Sequence, residues 1–323
     1  MNVTIDRLIE KTRTLCVTRL AAPDLHHLTE RLSAITGTTG FWQLTSHIQE
    51  LEGSQDRVRF LKTRLAEDGD LSDDGAFERC LLLDAAAHAC SLLPTLPVTA
   101  RVKECFCAEF NYVATAGVPA MLKLPVGSAR FTGLAKTVTL RRFPAGQFDW
   151  EVSGIPRSAL LRVNPARLPG IAAFVVWRMR GLGPVFFSHL NPRRPSRSLS
   201  EMEANRSYYQ MARTMEMQPQ VRGFAAWSWF RSPATHAVSP HLAWLSQVFL
   251  ENGGRVVEAG PEPPDGGVLY RSETRRRLYD SGQFRPTKGL VLWPRRAMLD
   301  WAAAHPEFET GATGQARFDD RIE

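Results

Sequence analysis

The chain has 323 residues, a formal net charge of +7, and 44% hydrophobic and 23% charged residues. This length suits one large domain or two ordinary ones, and the composition excludes disordered, collagen-like and low-complexity proteins. No apolar run approaches the roughly 20 residues that span a bilayer, and the first ten residues do not resemble a secretory signal. Only five cysteines occur, so we expect no disulfide framework and a reducing compartment. Together these features predict a cytoplasmic protein of bacterial type with no membrane partner.

The first 125 residues predict a helical region. Apolar residues recur at helical spacing from residue 8 to residue 65. Phe77–Leu93 is apolar almost all round, which is typical of a buried central helix, and Arg101–Ala114 predicts one more helix.

Residues 126–308 predict a mixed α/β domain. Thr137–Phe143 and Gln147–Val152 predict a hairpin, and Leu168–Arg180 predicts an apolar helix. Strands and helices then alternate, with strands predicted at 184–190, 221–230, 255–259 and 290–293 and helices at 201–218, 240–252 and 296–304. Because helices separate the strands from 184 to 259, the pattern predicts crossover connections and parallel pairing of these strands. The fold class is therefore α+β or α/β with a partly parallel sheet, followed by a frayed tail at 309–323.

Helix ends within this alternation carry clear signals. Ser200 followed by Glu203 predicts a capping box. Ser239 before Pro240 predicts an N-cap with proline at the first helical position, and Asn252–Gly254 predicts the helix end. Inside the helix at 240–252, Leu245 and Phe249 repeat at helical spacing, so this face is predicted to be core.

The segment between the strand at 184–190 and the helix at 201–218 is rich in arginine. Its candidate phosphate-binding residues are Arg193, Arg194, Arg197 and Ser198. A capped helix N-terminus offers unpaired N–H groups and a partial positive charge, to which the guanidinium groups add full charges. The alternative is a solvated loop whose arginines pair with nearby acids.

The order strand, anion-type loop, helix, strand, helix, strand over residues 184–259 resembles the second half of the GNAT superfamily of N-acyltransferases. The resemblance implies that the loop and helix start hold the pyrophosphate of an acyl-coenzyme A donor. It also implies that the strand at 184–190 lies beside the acyl group, with the strand at 221–230 parallel to it. An aminoacyl-tRNA is an alternative donor for the same fold.

Three residues are candidates for proton transfer or for polar contacts with a substrate. His189 ends a central strand and titrates near neutrality when unperturbed, although a hydrogen-bonded core histidine is equally compatible with its apolar neighbours. Ser228 is a small polar group on an apolar strand and either lines a substrate pocket or bonds to backbone. His241 follows an N-cap and is either functional or simply exposed.

The sequence therefore predicts a transferase that moves an acyl or aminoacyl group from a phosphate-bearing donor to an amine of a small molecule or peptide. Residues 151–323 hold 23 basic and 16 acidic residues, with Lys288 the only lysine. This excess favours an anionic partner, so a non-catalytic nucleic-acid-binding protein is the main alternative. A metal-dependent enzyme in the helical region is a third, although no cysteine or histidine spacing predicts a metal site.

Overall fold

The computed structural model describes residues 3–36, 76–115, 129–191, 199–263, 267–270 and 272–309. The chain divides into two compact units, one comprising Met1–Val152 with His189–Pro195 and the other Ser153–Ser188 with Ser196–Glu323. The described strands belong to a mixed, partly parallel six-stranded sheet, which confirms the predicted fold class. Within the described residues, no helix combines the length and apolarity needed to cross a bilayer.

The first unit is mainly helical. Its described helices are α1 (Val3–Leu20), α2 (Pro23–Thr36), α3 (Ala76–Leu92), α4 (Ala100–Thr115) and α5 (Ala129–Val138). Helix α3 packs against α1 and α4, and its residues 80–83 are fully buried. The prediction of a buried central helix is therefore confirmed.

All five cysteines lie in the first unit, and none of them forms a disulfide. Four are buried, and Cys105 is half-buried. Burial raises the pKa of the Cys16 thiol to about 12 and that of Cys107 to about 11. These two thiols are therefore protonated at neutral pH and pack as small apolar groups.

A short antiparallel hairpin follows, formed by β1 (Arg142–Pro144) and β2 (Phe148–Ser153). The predicted first strand, Thr137–Phe143, is wrong over its first half, because Thr137 belongs to α5. The Thr137 hydroxyl donates to the Gly133 carbonyl at 3.1 Å, so its side chain is satisfied inside the helix despite its preference for strands.

The second unit holds most of the sheet. Its strands are β3 (Val185–Leu190), whose last two residues belong to the first unit, β4 (Gly223–Ser228), β5 (Arg255–Pro261) and β6 (Thr287–Pro294). Its helices are α6 (Arg157–Leu160), α7 (Leu168–Ala173), α8 (Glu201–Glu216), α9 (Pro233–Val238), α10 (Trp244–Glu251), α11 (Gly267–Tyr270), α12 (Glu273–Asp280) and α13 (Arg295–Ala304). Helix α7 runs on as a π-helical turn, Phe174–Arg178.

The order of these strands is β3-β4-β6-β5. Strands β3 and β4 are parallel, as predicted, with Phe187 opposite Ala225. The prediction that the strand at 255–259 continues the parallel series is wrong, because β6 lies between β4 and β5 and is antiparallel to both. Strand β6 is buried along six consecutive residues, which is typical of a strand whose sheet is covered on both faces.

Helix ends follow the predicted signals with one exception. The Ser200 hydroxyl accepts from the Glu203 N–H at 3.3 Å, and the Gly254 N–H donates to the Phe249 carbonyl at 2.7 Å beyond the end of α10. Ser239 does not cap a helix with its side chain. Its hydroxyl instead accepts from Arg275 Nη1 at 3.1 Å, and the chain passes through a 3₁₀ turn, Pro240–Leu242, before α10 begins.

Apolar residues cover both faces of the second unit's sheet. On one face, residues of α6, α7 and the π-helical turn pack on β4, β5 and β6, with Ile171 and Ala225 in the same cluster. On the other face, the aromatic rings of Tyr208, Phe224 and Phe249 are in contact. Gly289 on β6 must lack a side chain, because a Cβ there would lie 2.3 Å from the Arg231 carbonyl oxygen.

Candidate active site

The register of the β1–β2 hairpin brings two opposite charges together in the first unit. Arg142 lies directly opposite Glu151, where cross-strand side chains are close enough to pair. The adjacent cross-strand pair, Phe143 and Trp150, stacks with ring centroids 5.4 Å apart. This stack fixes the register, because a slip of one residue would turn Trp150 out of the core.

Glu151 is held by two cations. Its Oε2 accepts from Lys136 Nζ on α5 at 2.9 Å, and its Oε1 accepts from Arg142 Nε at 2.8 Å. Burial alone would raise the pKa of the Glu151 carboxyl, but the hydrogen bonds from Lys136 and Arg142 outweigh it and hold the pKa below its usual value. Glu151 is therefore an ionised carboxylate in a fixed position.

His189 completes this cluster at the end of β3. Its Nε2 lies 3.4 Å from Glu151 Oε1, and its side chain is 31% exposed. Burial and the charge of Arg142 lower the pKa of His189 to about 4, against the opposing effect of Glu151. At neutral pH the imidazole is therefore uncharged and can accept a proton.

The backbone beyond His189 is anchored to β2. Asn191 Nδ2 donates to Asp149 Oδ1 at 3.0 Å, and the Asn191 N–H donates to the Gln147 carbonyl at 3.1 Å. Asn191 and Asp149 are both buried. These two bonds fix the main chain two residues after His189, so the position of the imidazole is defined by its backbone.

The arrangement defines the chemistry that this cluster supports. One carboxylate faces two cations, so the cluster carries a net positive charge while His189 is neutral. A developing imidazolium would be stabilised by Glu151 at 3.4 Å, and a substrate that arrives as a cation would be repelled by Lys136 and Arg142. The cluster therefore suits acceptance of a proton from a neutral group.

The other described site candidates belong to the second unit. Ser228 ends β4, opposite Gly289 of β6, and His241 is exposed on the 3₁₀ turn at Pro240–Leu242. Both belong to the second unit, whereas His189 belongs to the first. The predicted phosphate-binding residues Arg193, Arg194, Arg197 and Ser198 lie outside the described residues, as do residues 310–323 of the predicted frayed tail.

Two of the basic residues near the C-terminus bond to backbone carbonyls inside the fold. Arg275 is buried and donates to the Val268 carbonyl at 2.6 Å. Arg295 donates to the Gln218 and Val221 carbonyls. Both side chains therefore join segments within the second unit. Across the described part of the chain, no three potential metal ligands are grouped.

The sequence names His189 as a candidate but gives none of the charged residues that the structure places beside it. Glu151, Arg142 and Lys136 were not predicted as site residues. A usable signal was present, because a turn at Pro144–Gln147 sets a register in which Arg142 faces Glu151. Lys136 carried no comparable signal, since it belongs to a helix that the sequence analysis placed partly in a strand.

The comparisons with known proteins show a remote likeness. No family model and no curated protein matches the chain. Similar solved structures include an acyltransferase in complex with CoA and 10C-teicoplanin, at 10% identity and a TM-score of 0.42. They also include a mutant acyltransferase in complex with octanoyl-CoA (10% identity, TM-score 0.40) and an acyltransferase in complex with decanoyl-CoA and teicoplanin (11% identity, TM-score 0.40).

Each of these likenesses covers 68% of this chain and 66% of the other, slightly less than two thirds of its length.

The low pKa of His189 has a measurable effect on stability. Between pH 6.5 and about 4 the unfolded histidine binds a proton that the folded one does not. His189 therefore does not lower the free energy of unfolding above pH 6.5, and it lowers it progressively as the pH falls towards 4. We expect the free energy of unfolding in urea to fall over this range, and to fall less in His189→Gln. His26→Gln, which changes an exposed histidine of the same unit, should keep the parent's slope. An unchanged slope in His189→Gln would contradict the assignment.

Proposed function

We propose that the protein is an N-acyltransferase that moves an acyl group from an acyl-coenzyme A to a primary amine. The observation that carries the proposal is His189, a neutral imidazole at the end of a strand with parallel pairing, 3.4 Å from the fixed carboxylate of Glu151. Ligands of α/β proteins commonly bind beyond the carboxyl ends of parallel strands. This position at a strand end supports the proposed role of His189 as proton acceptor.

The proposed binding site for the donor's phosphates is the start of the helix that follows β3. Helix α8 begins at Glu201 and is capped by Ser200. Its N-terminus bears the partial positive charge that favours a phosphate. By the GNAT resemblance, the donor's pyrophosphate binds at this helix start, with Arg193, Arg194 and Arg197 supplying guanidinium groups. Acyl-coenzyme A carries the required phosphates and an activated thioester.

The reaction balances without a covalent enzyme intermediate. The amine nitrogen attacks the thioester carbon, so a C–N bond forms and the C–S bond breaks. The attacking nitrogen becomes strongly acidic as its lone pair is used, and His189 accepts the proton that it loses. The proton then passes to the departing thiolate, and the products are an amide and free coenzyme A. Glu151 stabilises the imidazolium in between.

The pKa of His189 fits this order of events. A base with a pKa of about 4 does not deprotonate a free ammonium ion, but it accepts a proton from the much more acidic nitrogen that forms during attack. The positive charges of Lys136 and Arg142 favour entry of the uncharged amine. The amine is therefore expected to bind neutral, and turnover is expected to rise with pH as more of it loses its proton in solution.

Direct assay of the transfer tests this proposal. The purified chain would be mixed with acetyl-, octanoyl- or palmitoyl-coenzyme A and a panel of primary amines, amino acids and short peptides. We expect release of the coenzyme A thiol that depends on the amine, and an amide product with the mass of acyl group plus amine. The control omits the amine. Absence of amide with every donor and acceptor pair would overturn the proposal.

A further inference from the structure

The second unit contains an open cavity beside β5, of about 560 Å³. Its walls are Arg162 and four consecutive residues, Gly260–Pro263. A cavity of this volume is within the range that holds small-molecule ligands in proteins. Two of its walls are prolines, which have no N–H to donate, so the polar character of the cavity comes mainly from Arg162 and Glu262.

Two cations contact the same indole beside this cavity. The Arg162 Cζ lies 5.7 Å from the Trp227 ring centroid, and Lys288 Nζ lies 4.8 Å from it. The Trp227 Nε1–H donates to the Ala259 carbonyl at 3.3 Å, which fixes the orientation of the ring. Trp227 therefore serves as a rigid platform that positions both charges.

The two cations differ in their charge partners. Lys288 is neutralised by Glu262, whose Oε2 lies 3.1 Å away. Arg162 is exposed, and among the described residues it forms no ion pair with a carboxylate. A guanidinium presents a planar set of donors that matches a carboxylate or phosphate. The free charge at this cavity is therefore that of Arg162.

The backbone is shaped to leave room for Arg162. Gly260 has a φ of +83°, and a Cβ there would lie 2.9 Å from the Arg162 Cβ and Cδ. An isolated bridge between Val163 and Ala259 holds the two segments side by side. Glycine at 260 satisfies both requirements, because it tolerates the positive φ and has no side chain to displace the arginine stem.

We propose that this cavity binds a small molecule that carries a carboxylate or phosphate on a planar or apolar body. The anion would pair with the Arg162 guanidinium, and the body would lie against the prolines and the face of the cavity near Trp227. The proposal is independent of acyl transfer, because it uses none of the residues placed around His189.

Titration calorimetry with three matched probes tests the site in the full chain. The probes are phenyl phosphate, benzoate and benzylamine, which share a ring and differ in charge. We expect saturable binding of at least one anion and weaker or no binding of benzylamine. The anion that binds more tightly identifies the phosphate or the carboxylate as the natural group. Saturable binding of neither anion, or tighter binding of benzylamine, would overturn the proposal.

Variants locate the binding. Arg162→Gln should weaken the bound anion about 10- to 100-fold, the usual range for a lost charge-assisted hydrogen bond. Arg157→Gln removes an exposed arginine from the same segment, is not part of the cavity wall, and should bind as the parent does. Equal affinity of Arg162→Gln and the parent would place the anion elsewhere and refute the site. Unfolding curves confirm that both variants remain folded.

Discussion

Replacing His189 with glutamine is expected to lower kcat for acyl transfer about 10²- to 10⁴-fold, the usual contribution of a positioned proton acceptor. Glutamine keeps a polar side chain of similar reach beside Glu151, but it does not take up a proton at neutral pH. Because His189 is proposed to act on the attacking nitrogen rather than to bind substrate, the KM for donor and amine should change little. Initial rates with the donor and the amine each varied at a saturating concentration of the other give kcat and both KM values.

His26→Gln is the matched control for this experiment. It makes the same chemical change at an exposed histidine of the same unit, whose Nε2 lies 3.4 Å from Glu30 Oε1 on the same helix. It should retain the parent's kcat. If His189→Gln also turns over at the parent's rate while folded, His189 is not the proton acceptor, even though transfer itself would stand.

Replacing Phe249 with alanine is expected to reduce the free energy of unfolding by about 3–5 kcal/mol, as for other fully buried phenylalanines. Phe249 is inaccessible to solvent and its ring contacts three others, stacking on Phe224 at 5.4 Å and meeting Tyr208 and Trp293 edge-on at 5.1 and 5.2 Å. Alanine would remove all three contacts and leave a cavity. Equilibrium unfolding in urea measures the loss.

Leu250→Ala provides a control at the next position. Leu250 is 58% exposed on the same helix, so both variants place alanine in α10, and only Phe249→Ala opens the core. We expect Leu250→Ala to change stability by less than about 0.5 kcal/mol. Losses of similar size in the two variants would show that the ring cluster does not form as described.

Local signals in the sequence predicted local structure well. The cap at Ser200 and the stop at Gly253 depend on a few neighbouring residues, and both are present. The burial of Leu245 and Phe249 followed from helical spacing and is confirmed. Strand order was harder, because the position of β6 between β4 and β5 depends on pairing between residues far apart in sequence.

The candidate site shows the same division. His189 is a candidate from the sequence because a strand end can be predicted from nearby residues. Its environment could not be, because the pKa shift depends on burial and on Arg142, Glu151 and Lys136, which come from a hairpin and a helix dozens of residues earlier. Thr137 misled the prediction of that helix, since a β-branched residue normally favours a strand.

The placement of the cysteines has a practical consequence. Because every thiol of the chain lies in the first unit and four are buried, reaction with an alkylating dye would report opening of that unit alone, with the sheet and helices of the second unit contributing no signal. The native chain would also add little background to a colorimetric readout of released coenzyme A. The rate of thiol labelling is therefore a built-in measure of how often the first unit opens.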